Sequence, residues 1–349
     1  MPHRVVPRLA LAVVVVLALA AAGLVAWRAL APATPLARAM ELAPDDATRF
    51  SWTDWEGVRR ELGADVDAGS SAGQVDAFLS DAFAADLSSM SALGTSAGAM
   101  QDQLGFSPAT VSWELFAQSG SGAVEVLGVD DGVDLDAVAD RLADLGWTEP
   151  EEADGVWVGG PDVLAGTGAM LTPELQHVAL LADEGLVLTS DQAPYLEAVL
   201  EGDDGPEDLA ELAGSLEEPL TAAVYDGAYA CEHLAMSQAD DDAQAEADQL
   251  VEAAGDVHPL TGFAMGVLPG GAVRAVMQVE DADDAPGDAE ARARLAAGPA
   301  PGQGGEFADR FSVERAGSEG REVVLDLRPS PGTYVLSDLT SGPVLFATC

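Results

Sequence analysis

VSWELFAQ (111–118), SGSG (119–122), AVEVLGV (123–129) and DLDAVADRLADLG (134–146) set the fold class. The first and third stretches are apolar runs of strand length, and the Ser-Gly turn between them is too short for anything but an antiparallel hairpin. The fourth changes period. Leu135, Val138 and Leu142 recur at helical spacing, Asp134 stands where an N-cap is wanted and Gly146 where a helix ends. The same succession returns downstream as GFAMGVLP (262–269), a Gly-Gly turn, AVRAVMQVE (272–280) and DAEARARLAAG (288–298). Gly122-Ala123-Val124 matches Gly271-Ala272-Val273, and Arg141-Leu142-Ala143 matches Arg294-Leu295-Ala296. Both copies continue alike. HVALLAD (177–183) and LVLTS (186–190) compare with RFSVERA (310–316) and REVVLDLR (321–328). Short helices follow at 195–200 and 334–339, and then runs opened by proline, PLTAAVY (219–225) and PVLFATC (343–349), which read as strands. Tight glycine turns between short strands predict an α+β fold of two related, mainly antiparallel sheet-and-helix repeats, either packed as a pair or continuous in one sheet.

Upstream, Thr48, Phe50 and Trp52 alternate with polar neighbours as a short strand, and Thr53 with Glu56 reads as a capping box opening a helix that Gly63 closes. Residues 74–104 read as a mostly helical insertion, with Val75, Phe78, Leu79, Ala82, Phe83, Leu87, Met90 and Leu93 on one stripe. Between the copies, residues 237–254 read as an Ala-rich helix with an acidic face, capped by Ser237 and Asp240. The organisation expected is a cytoplasmic N-terminus at 1–8, a transmembrane helix or signal anchor at 9–27 and a linker at 28–46. The first repeat then spans 47–226, and the acidic helix with the second repeat spans 227–349.

The anchor is LALAVVVVLALAAAGLVAW, Leu9–Trp27, 19 uncharged residues. As a helix it spans a hydrocarbon core of about 30 Å and exceeds the ~7–15 apolar residues of a cleaved leader. Ala18-Leu19-Ala20 and Ala29-Leu30-Ala31 remain as possible cleavage sites, which would leave the body secreted. The body is expected outside the cytoplasm. Cys231 and Cys349 are the only cysteines, and an even pair in an exported chain reads as one disulfide; two buried thiols are the alternative.

Charge and composition exclude several chemistries. Four of the 15 basic residues lie before Glu41; the other 11, with all 60 acidic residues, give the body a formal charge of −49. Such a surface repels nucleic acid, so the membrane, reached through residues 9–27, is the partner expected beside an unidentified protein or small molecule. Every basic residue is Arg. Without lysine there is no Walker A lysine, no pyridoxal Schiff base and no Ser-x-x-Lys pair.

Candidate chemistry is sparse. Gly94-Thr95-Ser96-Ala97-Gly98 and Gly69-Ser70-Ser71-Ala72-Gly73 fit the Gly-x-Ser-x-Gly elbow, but neither follows an apolar strand. His177, His233 and His258 make no i,i+4 ligand pair, and Cys231-Glu232-His233 is the one mixed cluster. Asp130, Asp131, Asp134 and Asp136 lack the spacing, central glycine and closing Glu of a calcium loop, and Asp65, Asp67 and Asp76 have Ser70 where that glycine belongs. No cofactor or metal is expected, and 60 carboxylates offer too many pairs for one to be singled out.

Leu42-Ala43-Pro44-Asp45-Asp46-Ala47-Thr48 resembles the Leu-Pro-Ala-Asp-Thr-like opening of a family of bacterial exported proteins of unknown function, with Ala43 intruding before Pro44. Trp52-Thr53-Asp54-Trp55 is similar to the opening of uncharacterised anchored proteins of high-GC Gram-positive bacteria. The resemblance implies export and no activity. The expectation is a non-catalytic, membrane-anchored binding or assembly protein of the envelope. The alternative is an extracytoplasmic hydrolase using Ser96 or a carboxylate pair.

Overall fold

In the computed structural model the hairpins foreseen at 111–129 and 262–280 are both present, and they belong to one sheet. The structure describes residues 33–130, 132–202 and 205–349; the expected anchor Leu9–Trp27 lies outside them, and no helix among them is long and apolar enough to cross a membrane. The strands are β1 (Arg49–Thr53), β2 (Val111–Gln118), β3 (Ala123–Val129), β4 (Val156–Val158), β5 (His177–Leu181) and β6 (Leu186–Ser190). They continue as β7 (Thr221–Asp226), β8 (Leu260–Val267), β9 (Val273–Val279), β10 (Phe311–Glu319) and β11 (Glu322–Pro329). All 11 join in the order β10-β11-β9-β8-β7-β1-β2-β3-β6-β5-β4. Every pairing is antiparallel, as turns such as Gly270-Gly271, both at positive φ, demand. The fold class is thus α+β with a large antiparallel sheet.

Helices cover both faces. One face packs against helices Trp55–Leu62, Ala72–Ala84, Ala97–Gln103, Leu135–Leu145, Asp241–Ala254 and Ala285–Leu295 through a core that includes Trp55, Phe78, Leu127, Leu142, Phe263 and Leu295. The other packs against Pro35–Met40, Ala193–Glu201 and Glu207–Gly214 through Met40, Phe50, Trp52, Leu196 and Leu212. Burial on both faces explains why the strands read as continuous apolar runs with little alternation. Each large side chain so enclosed contributes roughly 1.5–3 kcal/mol.

Several local expectations need correction. The helix at 55 is capped by Asp54, whose carboxylate accepts from Gly57 N at 2.9 Å, because Thr53 is committed to β1; Gly63 closes it at φ +62° as foreseen. The insertion is two helices. Asp86, at φ +60°, turns the chain after Ala84, and Met90 and Leu93 lie in the bends before Ala97–Gln103. The stretch 343–349 is not a strand: it is capped by a 3₁₀ turn, Leu345–Ala347, buried all the same. The run at 219–225 is β7, paired to β1 on one side and β8 on the other.

Cys231 and Cys349 are joined in a disulfide, with Cα atoms 5.7 Å apart. Arg292, fully buried, holds the same terminus. Its guanidinium donates to Phe346 O (2.9 Å), Thr348 O (3.0 Å) and His258 O (2.5 Å), and pairs with the buried Asp288 carboxylate at 2.8 Å.

Candidate functional site: a buried carboxylate pair

Glu114 on β2 and Glu125 on β3 point to the same covered face, one pleat apart: Glu114 lies opposite Leu127, and Glu125 opposite Phe116. Both are closed off from solvent. Glu114 is well served. Its Oε2 accepts from Trp55 Nε1 and Ser91 Oγ, each at 2.8 Å, and its Oε1 accepts from Ala92 N at 2.7 Å. Glu125 receives no donor at either oxygen. A carboxylate in that position would be an uncompensated buried charge, which costs several kcal/mol. Burial, with the Glu114 charge beside it, holds the Glu125 proton on well above the usual carboxylate range. Burial also pushes Glu114 upward, but the hydrogen bonds from Ser91, Trp55 and Ala92 oppose it. Glu125, the unpartnered member, is therefore the one that keeps a proton.

The surroundings are polar for a sheet interior. Thr189 stands directly across from Glu125 on β6, and Thr53 directly across from Glu114 on β1; neither hydroxyl has a partner. Two segments roof the pair. Ser91–Ser96 is tied to Glu114 by Ser91 and Ala92. The 3₁₀ turn Pro173–Gln176 rests on it through Thr172 N, which donates to Ser96 Oγ at 2.6 Å. Glu174, held by the Thr172 hydroxyl, adds a negative charge that bears on Glu125.

Ser96 is thus a roof residue. It is fully buried at the start of helix Ala97–Gln103 with φ −102°, outside the strained geometry of a nucleophile elbow. Among the described residues no hydrogen bond joins it to a histidine. Ser71 caps helix Ala72–Ala84 with Gln74. His177 begins β5, with burial lowering its pKa; His233 lies against the Tyr229 ring at 4.6 Å; His258 Nδ1 meets Asp288 at 2.6 Å, which raises its pKa. The three are not brought together. Cys231 is in the disulfide and is no ligand.

Two shallow grooves open elsewhere. One, of about 340 Å³, is lined by Val129, Asp130, Val133, Asp134 and Asp136. Its acids have local duties: Asp130 pairs with Arg59 at 3.0 Å, and Asp134 caps its helix by accepting from Ala137 N at 3.1 Å. Asp131 lies outside the described residues. Among the described residues no three His, Cys, Asp or Glu side chains form a metal-holding group. The other groove, of about 470 Å³, runs between helix Ala285–Leu295 and β10.

The sequence reading missed the pair, although AVEVLGV carries a signal. Glu125 is the one polar side chain in an otherwise apolar strand, and an acid there is either at an edge or buried with a purpose.

No family model matches the chain, and no curated protein matches it. Two solved structures, titled "Structure of crystal form I of TP0453" and "Structure of crystal form III of TP0453", align at 9% identity with TM-scores of 0.39. The alignments cover 90% and 87% of this chain and 99% and 98% of those. A likeness at that score carries no argument about fold or function.

Proposed function

We propose that this chain is a membrane-anchored protein whose body works outside the cytoplasm, binding or assembling with an envelope partner. The observation that carries the reading is the Cys231–Cys349 disulfide, a bond that persists in oxidising compartments. The apolar run Leu9–Trp27 supplies the anchor, and a body charge of −49 keeps nucleic acid and anionic lipid away. A reporter enzyme active only outside the cytoplasm, fused after Cys349, should be active. Activity of a cytoplasm-only reporter at that site would reverse the topology. Crosslinking and capture of the full anchored chain from its own membranes then identifies the partner.

The body reads as two related repeats. Outward from the β1–β7 pair the order is β2-β3-β6-β5 on one side and β8-β9-β11-β10 on the other, the same succession twice. Registers then equate Glu114 with Phe263, which faces Met277 as Glu114 faces Leu127. They equate Glu125 with Ala275, and Thr189 with Leu325. The second repeat fills with apolar groups what the first fills with acids and a hydroxyl. The fold therefore has an apolar solution, and the polar one supports a role for the first repeat beyond packing. A second reading, an extracytoplasmic hydrolase, draws on this same buried pair as acid and base. Turnover of chromogenic esters or glycosides that is lost in Glu125→Gln would favour it.

A further inference from the structure

The acids are held under the two segments that they hold in place. Ser91 and Ala92 bind Glu114 directly, Leu93 N donates to Ser91 Oγ at 3.1 Å, and Thr172 N binds Ser96. The polar attachment of residues 91–96 to the sheet therefore runs through one carboxylate, whereas the turn at 173–176 is held besides at its far end, where Gln176 O accepts from Gly159 N, Gly160 N and Trp147 Nε1. Beneath the roof lie four buried oxygens without partners: both of Glu125 and the hydroxyls of Thr53 and Thr189. Unsatisfied buried polar groups are rare in a resting fold and stand for a state in which they are solvated or otherwise partnered. The apolar counterparts Phe263, Ala275 and Leu325 sharpen the point; that step alone rests on the two-repeat reading.

We propose that Glu114 and Glu125 form a one-proton latch: while Glu125 keeps its proton the segment 91–96 stays seated on the sheet with Thr172 bonded to it, and loss of that proton unseats the segment, releases Thr172 and opens the polar sheet surface to solvent. The step is a simple ionisation. The Glu125 O–H bond breaks, the proton leaves to water, and two carboxylates remain side by side. The charged group that bears on Glu125 besides Glu114 is Glu174, also negative, so repulsion grows on that side too. Trp55 and Ser91, the side chains that face Glu114, carry no charge. Hydration is the remaining way to accommodate the second charge, and hydration requires the roof to lift.

Amide hydrogen exchange on the full chain tests this, expressed as protection factors so that the intrinsic pH dependence of exchange is removed. From about pH 6 to about pH 9, peptides covering 88–96 and 170–176 should lose protection, by about tenfold per pH unit beyond the midpoint for one proton. Peptides covering β9 and β11 should not change. Glu125→Gln, which carries no charge at any pH, should stay protected throughout. A wild-type roof whose protection is flat with pH, or a Glu125→Gln roof that opens like wild type, overturns the latch. If that variant does not fold, infrared spectra of the wild-type chain decide. Across the same pH series they should show a protonated carboxyl whose band fades in step with roof protection; absence of that band at the acid end of the series overturns the proposal.

Discussion

Asp86 shows what one residue does when its backbone and side chain serve different elements. It occupies a left-handed position, φ +60°, that ends helix Ala72–Ala84, and its carboxylate reaches 250 residues along the chain to cap helix Val335–Thr340. There it accepts from Leu336 N at 2.8 Å and Ser337 N at 3.2 Å. Both bonds favour the charged form, yet burial dominates and pushes the carboxyl up to about 6. The folded state then holds the proton more tightly than the unfolded chain. Asp86's contribution is full below about pH 4 and is lost as pH rises through about 6, on the order of 1–2 kcal/mol once solvent screening is allowed for. Asp86→Asn keeps an acceptor and tolerates the left-handed backbone. Urea melts of this variant should be less pH-dependent than wild type between pH 4 and pH 7; an unchanged slope would remove Asp86 as the cause. Asp86→Ala loses the cap as well and should cost about 1 kcal/mol more than Asn. Asp86 and Glu114 were not legible beforehand, and Glu125 was marked only as the one polar side chain of AVEVLGV. Among 60 acids, most of what sets the informative ones apart is what the fold places around them. Ser96 was legible as a motif, but a motif of small residues recurs by composition, and here its hydroxyl is a fastening.

Helix Ala285–Leu295 is the element that fastens the C-terminal segment, and it does so with a buried ion pair. Asp288 accepts from Arg292 Nε, from His258 N at 3.1 Å and at its other oxygen meets His258 Nδ1, so no lone charge is left. Arg292→Ala removes one partner only. It leaves Asp288 with His258 as its remaining partner and frees the carbonyls of Phe346 and Thr348, so a loss toward the low end of about 3–5 kcal/mol is expected in denaturant melts. Removing both charges, as in the double variant Asp288→Ala with Arg292→Met, should cost less than Arg292→Ala alone. A double variant as damaged as the single would show that the pair itself, and not the stranded charge, carries the stability. The disulfide acts on the same segment through the unfolded state. Cys231→Ser with Cys349→Ser reopens a 118-residue separation, and about 2–4 kcal/mol should be lost. Arg292 still holds Phe346 and Thr348 in that variant, so hydrogen exchange should loosen only beyond Thr348. Fraying back to Thr340 would mean that the bridge, and not Arg292, seats the segment. PVLFATC misled as a strand for a related reason. Val344, Leu345 and Phe346 are buried as their apolarity demands, but apolarity reports burial and not backbone dihedrals.

At the scale of the whole molecule, the sequence reached the antiparallel sheet, its hairpins and the paired cysteines, because glycine turns and period changes are local signals. It left open a packed pair or one continuous sheet, and the joining of all strands through β1 and β7 decides for the sheet; nothing local in 219–225 announces that it pairs with β1. The Gly-Ala-Val match also slips by one. Val124 packs on the face with Phe50, and Val273 on the face with Phe263, so the sequence match does not keep sheet faces in step. Net charge is the other global property. A body with 60 acids and 11 arginines after residue 40 cannot pair most of its carboxylates, and their mutual repulsion opposes the compact state. The ion pairs present include surface ones such as Arg60–Glu56, worth little in water, so salt has few favourable contacts to weaken. The Debye length falls from about 30 Å at 0.01 M to about 8 Å at 0.15 M, less than the spacing of many like charges across such a surface. Sodium chloride should therefore raise the melting midpoint over that interval, by about 2–4 °C for each kcal/mol of repulsion relieved. A midpoint that falls would mean that Arg274 with Asp326 and Glu217, and pairs like it, outweigh the repulsion. Calcium chloride at matched ionic strength separates screening from binding. An equal shift is expected, since two of the acids that line the first groove, Asp130 and Asp134, already serve Arg59 and a helix cap. A larger shift with calcium would sink the purely diffuse account and locate a cation site among these carboxylates.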